Sequence, residues 1–165
     1  MEVGYIGARV ELALRIEAAG MRVVACGVET ANSLPNAVAV ARALSAPRIV
    51  CLDLGDGFAT ELAIQDVWPE CAPGDVVVDF GGGEQGDGRR RADALASVRM
   101  HFVDAHAHRD GVGLLVRVGG HADAIRAVAA LFDALCGKMR WTHGGPPGSG
   151  YHAAMNGPSS AGLEP

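Results

Sequence analysis

Residues 72–83 read APGDVVVDFGGG, and this stretch decides the fold class. The turn signal Pro73-Gly74 precedes an apolar run that ends in three glycines. A strand with one solvated face alternates apolar and polar residues, whereas a continuously apolar strand is covered on both faces. The stretch therefore predicts a buried strand over 75–80, in a sheet with helices on both sides.

The same alternation of apolar runs with helical patterns continues in both directions from this stretch. Repeated strand–helix units with short connections are typical of a parallel, doubly wound sheet. The expected fold class is α/β: a Rossmann-type, three-layer, doubly wound domain with a mostly parallel sheet. Expected strands are 2–6, 21–26, 48–54, 75–80, 100–105, 114–118 and 139–142, and expected helices are 9–19, 33–45, 58–68, 87–98 and 121–136.

Local signals indicate where some of these elements begin and where the domain ends. Ser33 is the expected N-cap of the helix over 33–45, because a hydroxyl there can accept a bond from a free backbone N–H. From Gly144 onward the composition shifts to Gly, Pro, Ser and Ala. We therefore expect a domain over 1–143 followed by a Gly/Pro-rich tail over 144–165.

Charge and hydropathy argue against nucleic acid and membranes as partners. The chain has 165 residues, 20% of them charged, and a formal net charge of -5, which argues against a general nucleic-acid binder. No apolar run approaches the roughly 20 residues that span a bilayer, so no membrane partner is expected. The basic run Arg89–Arg91 is expected to form a solvated helix face.

Cysteine usage and the start of the chain point to one compartment. Cys26 and Cys51 fall inside expected buried strands, and no two of the four cysteines form a CxxC pair. Buried, reduced thiols and the lack of a secretory pattern at the start predict a cytoplasmic protein.

Seven stretches, taken in order, carry a family resemblance. Together they resemble the N-terminal NAD(P)-binding domain of 6-phosphogluconate dehydrogenases and, more distantly, the β-hydroxyacid dehydrogenases. The resemblance implies a Rossmann-type fold and an NAD(P) cofactor. The stretches are VGYIG at 3–7, APRIVCLDL at 46–54, APGDVVVDFGGG at 72–83, RRADAL at 90–95, MHFVDA at 100–105, VRVGG at 116–120 and GPPGSGYHAAMNG at 145–157.

The cofactor loop departs from the family pattern. Such a loop uses glycines at the first strand–helix turn, so that backbone can approach a diphosphate. Only two of the expected glycines remain, and about three residues are missing before the helix. The candidate cofactor-binding residues that remain are Gly4, Gly7, Ala8 and Arg9.

The adenine side departs further from the pattern. Glu11 enters the first helical turn, where a diphosphate needs positive potential. Gly27, followed by Val28 and Glu29, stands where the second strand normally ends in a ribose-binding acidic residue. The helix and strand that usually wall the adenine are missing. We therefore expect a shortened adenine-binding half and weak NAD(P) binding at most.

The positions that carry chemistry in the family are also substituted. Gly82 stands in place of an asparagine, and the stretch 104–111 lacks the Ser-Gly-Gly of the substrate loop. Gly82 is expected to form either a flexible turn or, beside Arg89–Arg91, a backbone anion cradle. Ala154 occupies the place of the catalytic lysine, and alanine has no proton to exchange. We therefore predict no catalytic residue in this chain.

These substitutions favour a catalytically inactive protein that acts as an assembly or interaction module, or as a weak nucleotide binder. A protein partner or a homo-oligomer is expected, because a lost partner domain leaves apolar surface exposed. The candidate surface comprises Ala153, Ala154, Met155, Leu163 and the helix over 121–136.

Two alternatives stay open. One is an NAD(P)-dependent oxidoreductase whose atypical loop is completed by another chain. The other is metal binding through His106 and His108, near Asp104 and Asp110, since imidazole and carboxylate suit Zn, Fe or Ni. No metal site is assigned, because a short two-histidine pattern is more often incidental, and the metal-dependent amidohydrolases that it resembles need a full barrel and several further ligands, which 165 residues cannot supply.

Overall fold

The protein is described by a computed structural model that covers residues 1–55, 57–137 and 139–151. The strands are β1 Glu2–Gly7, β2 Arg22–Cys26, β3 Ile49–Asp53, β4 Val76–Asp79, β5 His101–Arg109, β6 Leu114–Gly120 and β7 Trp141–Gly145. The helices are α1 Val10–Ala18, α2 Ala37–Ala43, α3 Gly57–Val67, α4 Gln85–Ala96 and α5 Ala122–Cys136, with a 3-10 turn at Trp68–Glu70.

All seven strands form one sheet in the order β2-β1-β3-β4-β5-β6-β7. Every neighbouring pair is parallel except β5 and β6, which run antiparallel. Helices cover both faces, with α1 and α5 on one side and α2, α3 and α4 on the other. The expected three-layer, mostly parallel Rossmann-type fold is confirmed.

The two cores follow directly from the unbroken apolar strands. Alternate residues of β4 point to opposite faces, so Val76 and Val78 join the α1/α5 core while Val77 joins the core under α2, α3 and α4. Cys26 and Cys51 are buried in their strands, as expected. Among the described helices, none combines the length and apolar content that crossing a bilayer requires.

The adenine side of the sheet is short. β2 is the last full strand at that edge, and beyond it lies one isolated bridge between Ala25 and Ser33. Helix α2 begins later than expected, because Asn36 and not Ser33 is its N-cap: the Asn36 side chain accepts a bond from Ala39 N at 2.9 Å. Ser33 is instead occupied by the bridge and by bonds within the turn to Val28 and Thr30.

Strand β5 is longer than expected and forms a hairpin with β6. Residues 106–109, which we expected to lie beyond the strand over 100–105, also belong to β5, because β6 supplies an antiparallel partner within a few residues. The turn closes on Asp110, whose Oδ1 accepts bonds from the N–H groups of Val112 and Gly113. His106 and His108 therefore lie on a sheet rather than on a polar loop.

Candidate functional site

The carboxyl ends of the central strands form a cleft, which we call the crevice. It has a volume of about 420 Å³. The chain leaves β1 for β2 on one side and returns to β3 on the other, and ligands of open α/β sheets bind at this reversal. The crevice is lined by Ala8, Arg9, Asp53, Leu54, Gly55, Phe80, Gly81, Gly82, His106 and Ala107.

Backbone packs closely on one side of the crevice. An added Cβ at Gly7 would lie 2.5 Å from the Asp53 carbonyl oxygen. An added Cβ at Gly27, which has a φ of +85°, would lie closer than 3.0 Å to the Gly7 carbonyl oxygen. These two glycines therefore permit three strand ends to meet, and the turn from β1 to α1 has room for only Ala8 and Arg9.

An ion pair spans this strand junction. Arg9 Nε donates to both carboxylate oxygens of Asp53 at 2.8 and 2.7 Å, and Arg9 Nη2 donates to Oδ1 at 2.5 Å and to the Phe80 carbonyl oxygen at 3.1 Å. The Tyr5 hydroxyl donates to Asp53 Oδ2 at 2.5 Å. The Arg9 side chain is 53% exposed while that of Asp53 is 2% exposed, so the pair presents its cation to the crevice.

The electrostatics of this group follow from burial and contact. The hydrogen bond from Arg9 to Asp53 raises the pKa of the guanidinium, which therefore stays charged. Burial, with the neighbouring carboxylate of Asp53, raises the pKa of the Tyr5 phenol far above its usual range. Tyr5 is thus a fixed donor to Asp53 and not a proton carrier near neutral pH.

His106 and His108 point to the same face of β5. Their rings stack with centroids 5.7 Å apart and an interplanar angle of 25°. Burial first, then His108 and Arg9, lowers the pKa of His106, so its ring is neutral near pH 7. Within 1–55, 57–137 and 139–151, no group of three or more His, Cys, Asp or Glu side chains is arranged to hold a metal ion.

A second polar cluster lies buried beneath the three glycines at 81–83, which we call the glycine loop. Arg91 Nη1 donates to Asp79 Oδ2 at 3.0 Å and to the Tyr151 hydroxyl at 3.1 Å, and Arg91 Nε donates to Glu61 at 2.7 Å. The Tyr151 hydroxyl also donates to Asp79. Burial raises the pKa of Asp79 to about 6, although Tyr151, the Gly81 N–H and Arg91 act to lower it.

The expectation that Arg89–Arg91 forms a solvated helix face is therefore wrong for Arg91, which is 2% exposed. Arg91 falls on the inner side of α4, where Asp79 and Glu61 compensate its charge. Arg90 pairs with Glu61 and Asp87 at the surface, so it is not directed at the glycine loop. Gly82 forms a turn with a φ of +87°.

The segment 146–151 packs against β5 at Asp104. Both carboxylate oxygens of the buried Asp104 accept backbone bonds from it: Gly148 N at 2.5 Å, Gly150 N at 2.5 Å and Tyr151 N at 3.2 Å. Burial raises the pKa of Asp104, and the same three N–H groups act to lower it. The start of the expected tail is thus tied to the sheet, and its first two residues belong to β7.

The structure brings three of the four predicted cofactor residues together. Gly7, Ala8 and Arg9 lie at the carboxyl end of β1, beside the crevice. Gly4 lies inside β1 and faces α2, where an added Cβ would meet Leu44 and Val40 at 2.8 Å. Sequence reasoning missed Asp53. Its signal was an acidic residue at the end of the apolar run RIVCLDL, where a parallel strand opens toward the ligand edge.

Other predicted positions lie elsewhere or outside the described residues. The expected interaction face on the helix over 121–136 is wrong for its large apolar residues, because Ile125, Val128 and Phe132 pack on the domain's own sheet. Ala153, Ala154, Met155, Asn156 and Leu163 lie outside the described residues, as does His152. His143 is bonded through Nε2 to the Gly120 and Gly145 carbonyls.

Comparison with known proteins identifies sequence relatives. A family profile described as the NAD binding domain of 6-phosphogluconate dehydrogenase matches residues 4–144. The decarboxylating 6-phosphogluconate dehydrogenase of Ceratitis capitata is 30% identical over 154 residues, or 86% of this chain and 30% of that protein. The enzyme of Staphylococcus aureus strain N315 is 30% identical over 121 residues, or 68% of this chain and 26% of that protein. This chain therefore spans less than a third of the length of these curated relatives.

Solved structures share the fold. Plasmodium falciparum 6-phosphogluconate dehydrogenase superposes with a TM-score of 0.82 at 19% identity, covering 94% of this chain and 39% of that one. The 3-hydroxyisobutyrate dehydrogenase of Mycobacterium tuberculosis superposes with a TM-score of 0.80 at 19% identity, covering 93% and 57%. The similarity extends over nearly the whole chain and shows a common architecture.

Proposed function

Because this chain belongs to the family of NAD binding domains of 6-phosphogluconate dehydrogenase, we propose that it is a catalytically inactive member, which binds nucleotides weakly and serves in protein assembly. The observation that carries this proposal is the Arg9–Asp53 ion pair across the crevice. It lies at the strand–helix turn, where the family's glycine loop would leave space for a diphosphate.

The fit of a whole NAD(P) molecule to these residues is poor. The turn after β1 has two residues, and one of them is the ion-paired Arg9. Glu11, with a side chain 81% exposed, adds negative charge in the first turn of α1, where a diphosphate is normally stabilised by the positive helix end. Beyond β2 only the Ala25–Ser33 bridge extends the sheet, so the adenine lacks a wall.

The substitutions at the family's catalytic positions support the same proposal. Ala154 stands where the family resemblance places the catalytic lysine, and Gly82 stands in place of the asparagine. At the strand junction beside the crevice, Tyr5 and Arg9 hold their protons tightly and Asp53 accepts three side-chain donor groups. A general acid or base needs a pKa near the working pH, and the raised pKa values of Tyr5 and Arg9 do not meet that need.

Isothermal titration of the chain with NAD+, NADP+ and NADPH tests the proposal. We expect a Kd no tighter than about 1 mM, which corresponds to a binding free energy of about -4 kcal/mol. Nicotinamide absorbance should show no turnover of 6-phosphogluconate. A micromolar Kd, or sustained turnover, would contradict the proposal and favour the alternative of an oxidoreductase completed by another chain.

An exposed apolar pair on α3 supports the assembly role. Phe58 is 74% exposed and Leu62 is 46% exposed. They lie one helical turn apart and therefore share a face. Adjacent large apolar side chains at the surface are more costly in water than scattered ones, and they favour burial against a protein partner.

A further inference from the structure

We infer that the crevice binds a phosphate monoester no larger than a mononucleotide, held between Arg9 and His106. This inference rests on the proposed function, because it assigns a ligand class to the same weak nucleotide site. The sheet is short on the adenine side, beyond β2, but the crevice at the ends of the central strands is present. Arg9 and His106 provide polar donors there.

The Arg9 guanidinium is held in place by Asp53 but keeps a donor nitrogen that a ligand can use. Nε and Nη2 of Arg9 are directed at Asp53 and Phe80, whereas Nη1 has no hydrogen-bond partner among the residues that the structure describes. An arginine held by a carboxylate on one edge keeps donors on its other edge, and a planar guanidinium suits phosphate oxygens. Because Asp53 is 3% exposed, the ion pair offers a ligand the cation rather than the anion.

A second donor faces the same space. His106 lines the crevice, and its ring nitrogens have no hydrogen-bond partner within the described parts of the chain. A neutral imidazole can donate one bond to a phosphate oxygen. Among the described residues that line the crevice, Asp53 is the only carboxylate, and Arg9 and Tyr5 already hold it.

The remaining walls set the size of the ligand. Gly55 and Gly82 have φ values of +76° and +87°, and an added Cβ on either would meet nothing within 4 Å. A ligand can therefore approach backbone at both positions. The volume of about 420 Å³ accommodates a small organic group attached to the phosphate, and the shortened β2 edge gives a second nucleoside nothing to pack against.

Titrations followed by calorimetry and by amide NMR shifts test the inference on the full chain. The probes are nicotinamide mononucleotide, adenosine monophosphate, 6-phosphogluconate, inorganic phosphate and NAD+. We expect at least one of the three monoesters to bind at least tenfold tighter than inorganic phosphate, and no weaker than NAD+. Shifts should map to Gly55, Gly82 and His106. The monoester that binds tightest identifies whether a nucleotide or a sugar phosphate is the source.

Three variants distinguish binding in the crevice from nonspecific attraction of phosphate to positive side chains. Arg9→Lys keeps a partner for Asp53 but removes the planar donor edge, and it should weaken monoester binding about tenfold. His106→Gln, a second variant that leaves the ion pair intact, should weaken it severalfold. Arg109→Lys is the matched control outside the crevice and should have no effect, since Arg109 lies 4.0 Å from exposed Glu11.

The outcomes distinguish the two proposals. If neither the monoesters nor NAD+ saturate below about 10 mM, the inference is wrong while the inactive assembly domain still stands. Unchanged monoester affinity in both crevice variants also overturns the inference alone. NAD+ binding tenfold tighter than nicotinamide mononucleotide, at micromolar concentration, overturns both, because it requires an intact dinucleotide site.

Discussion

Gly27 and Gly20 share a φ of +85° but have different surroundings. An added Cβ at Gly27 would press on the backbone oxygen of Gly7, whereas one at Gly20 would meet nothing within 4 Å. Both Ala variants incur a left-handed backbone cost of about 1 to 2 kcal/mol. We expect Gly27→Ala to lower the free energy of unfolding by at least about 2 kcal/mol more than Gly20→Ala, because backbone cannot move aside as a side chain does. Urea unfolding of both variants measures this difference, and equal losses would mean that the strand junction is looser than the structure describes.

Asp79 gives the domain a characteristic dependence on pH. Its pKa of about 6 in the fold lies above its ordinary value of 3.8, so the folded state binds this proton more tightly than the unfolded chain. The contribution of Asp79 to stability is therefore largest at low pH and is lost as the pH rises through 6. We expect the unfolding free energy of the wild type, relative to Asp79→Asn, to fall by about 1 kcal/mol between pH 5 and pH 7.

The comparison with Asp79→Asn is needed because other groups titrate in the same range. The lowered pKa of His106 acts in the opposite direction, since protonation of this half-buried imidazole at low pH favours the unfolded chain. Both proteins contain His106, so its effect cancels in the difference. Parallel pH profiles for the two proteins would show that Asp79 titrates in the fold as it does in the unfolded chain.

At the scale of elements, Asp104 fastens the segment 146–151 to β5. Its carboxylate accepts three backbone N–H groups. In Asp104→Asn an amide NH2 replaces one acceptor oxygen and leaves at least one buried N–H without a partner. We expect a loss of about 2 to 3 kcal/mol in stability and faster amide exchange at Gly148 and Gly150.

Asp123→Asn is the matched control for that measurement. The Asp123 side chain is 71% exposed and pairs only with Arg126, an i,i+3 neighbour. Exposed pairs of this kind contribute less than about 1 kcal/mol. If the two variants lose equal stability, or if exchange at Gly148 is unchanged, the carboxylate does not hold the segment in place.

Elements could be predicted from the sequence where the pattern is local. The run DVVVDF at 75–80 has an apolar pattern that only a doubly covered strand explains, and the structure confirms that strand within two residues. The length of β5 could not be predicted, because residues 106–109 (HAHR) lack an apolar run and become strand only through pairing with β6. The burial of Arg91 likewise depends on Asp79, which is distant in sequence and adjacent only in the fold.

The sequence predicted where the crevice lies but not which side chains pair beside it. Glycines at the end of the first strand located it, since that is where backbone must approach a ligand. The pairing of Arg9 with Asp53 joins residues 44 positions apart and has no local pattern. A sequence reading therefore locates the turn that borders the crevice, whereas only the fold shows which side chains meet there.

At the scale of the whole molecule, the assembly proposal predicts self-association through Phe58 and Leu62. A second copy is the partner that is always present, and a twofold contact would bury both side chains on each copy. We expect sedimentation velocity to show mass that increases with concentration for the wild type and a monomer for Phe58→Ser/Leu62→Ser. Val112→Ser is the matched control, because Val112 is 83% exposed on the β5–β6 turn and should not alter association. A wild-type chain that stays monomeric up to about millimolar concentration, where binding is worth only about -4 kcal/mol, would rule out a homo-oligomer and leave a different protein as the partner.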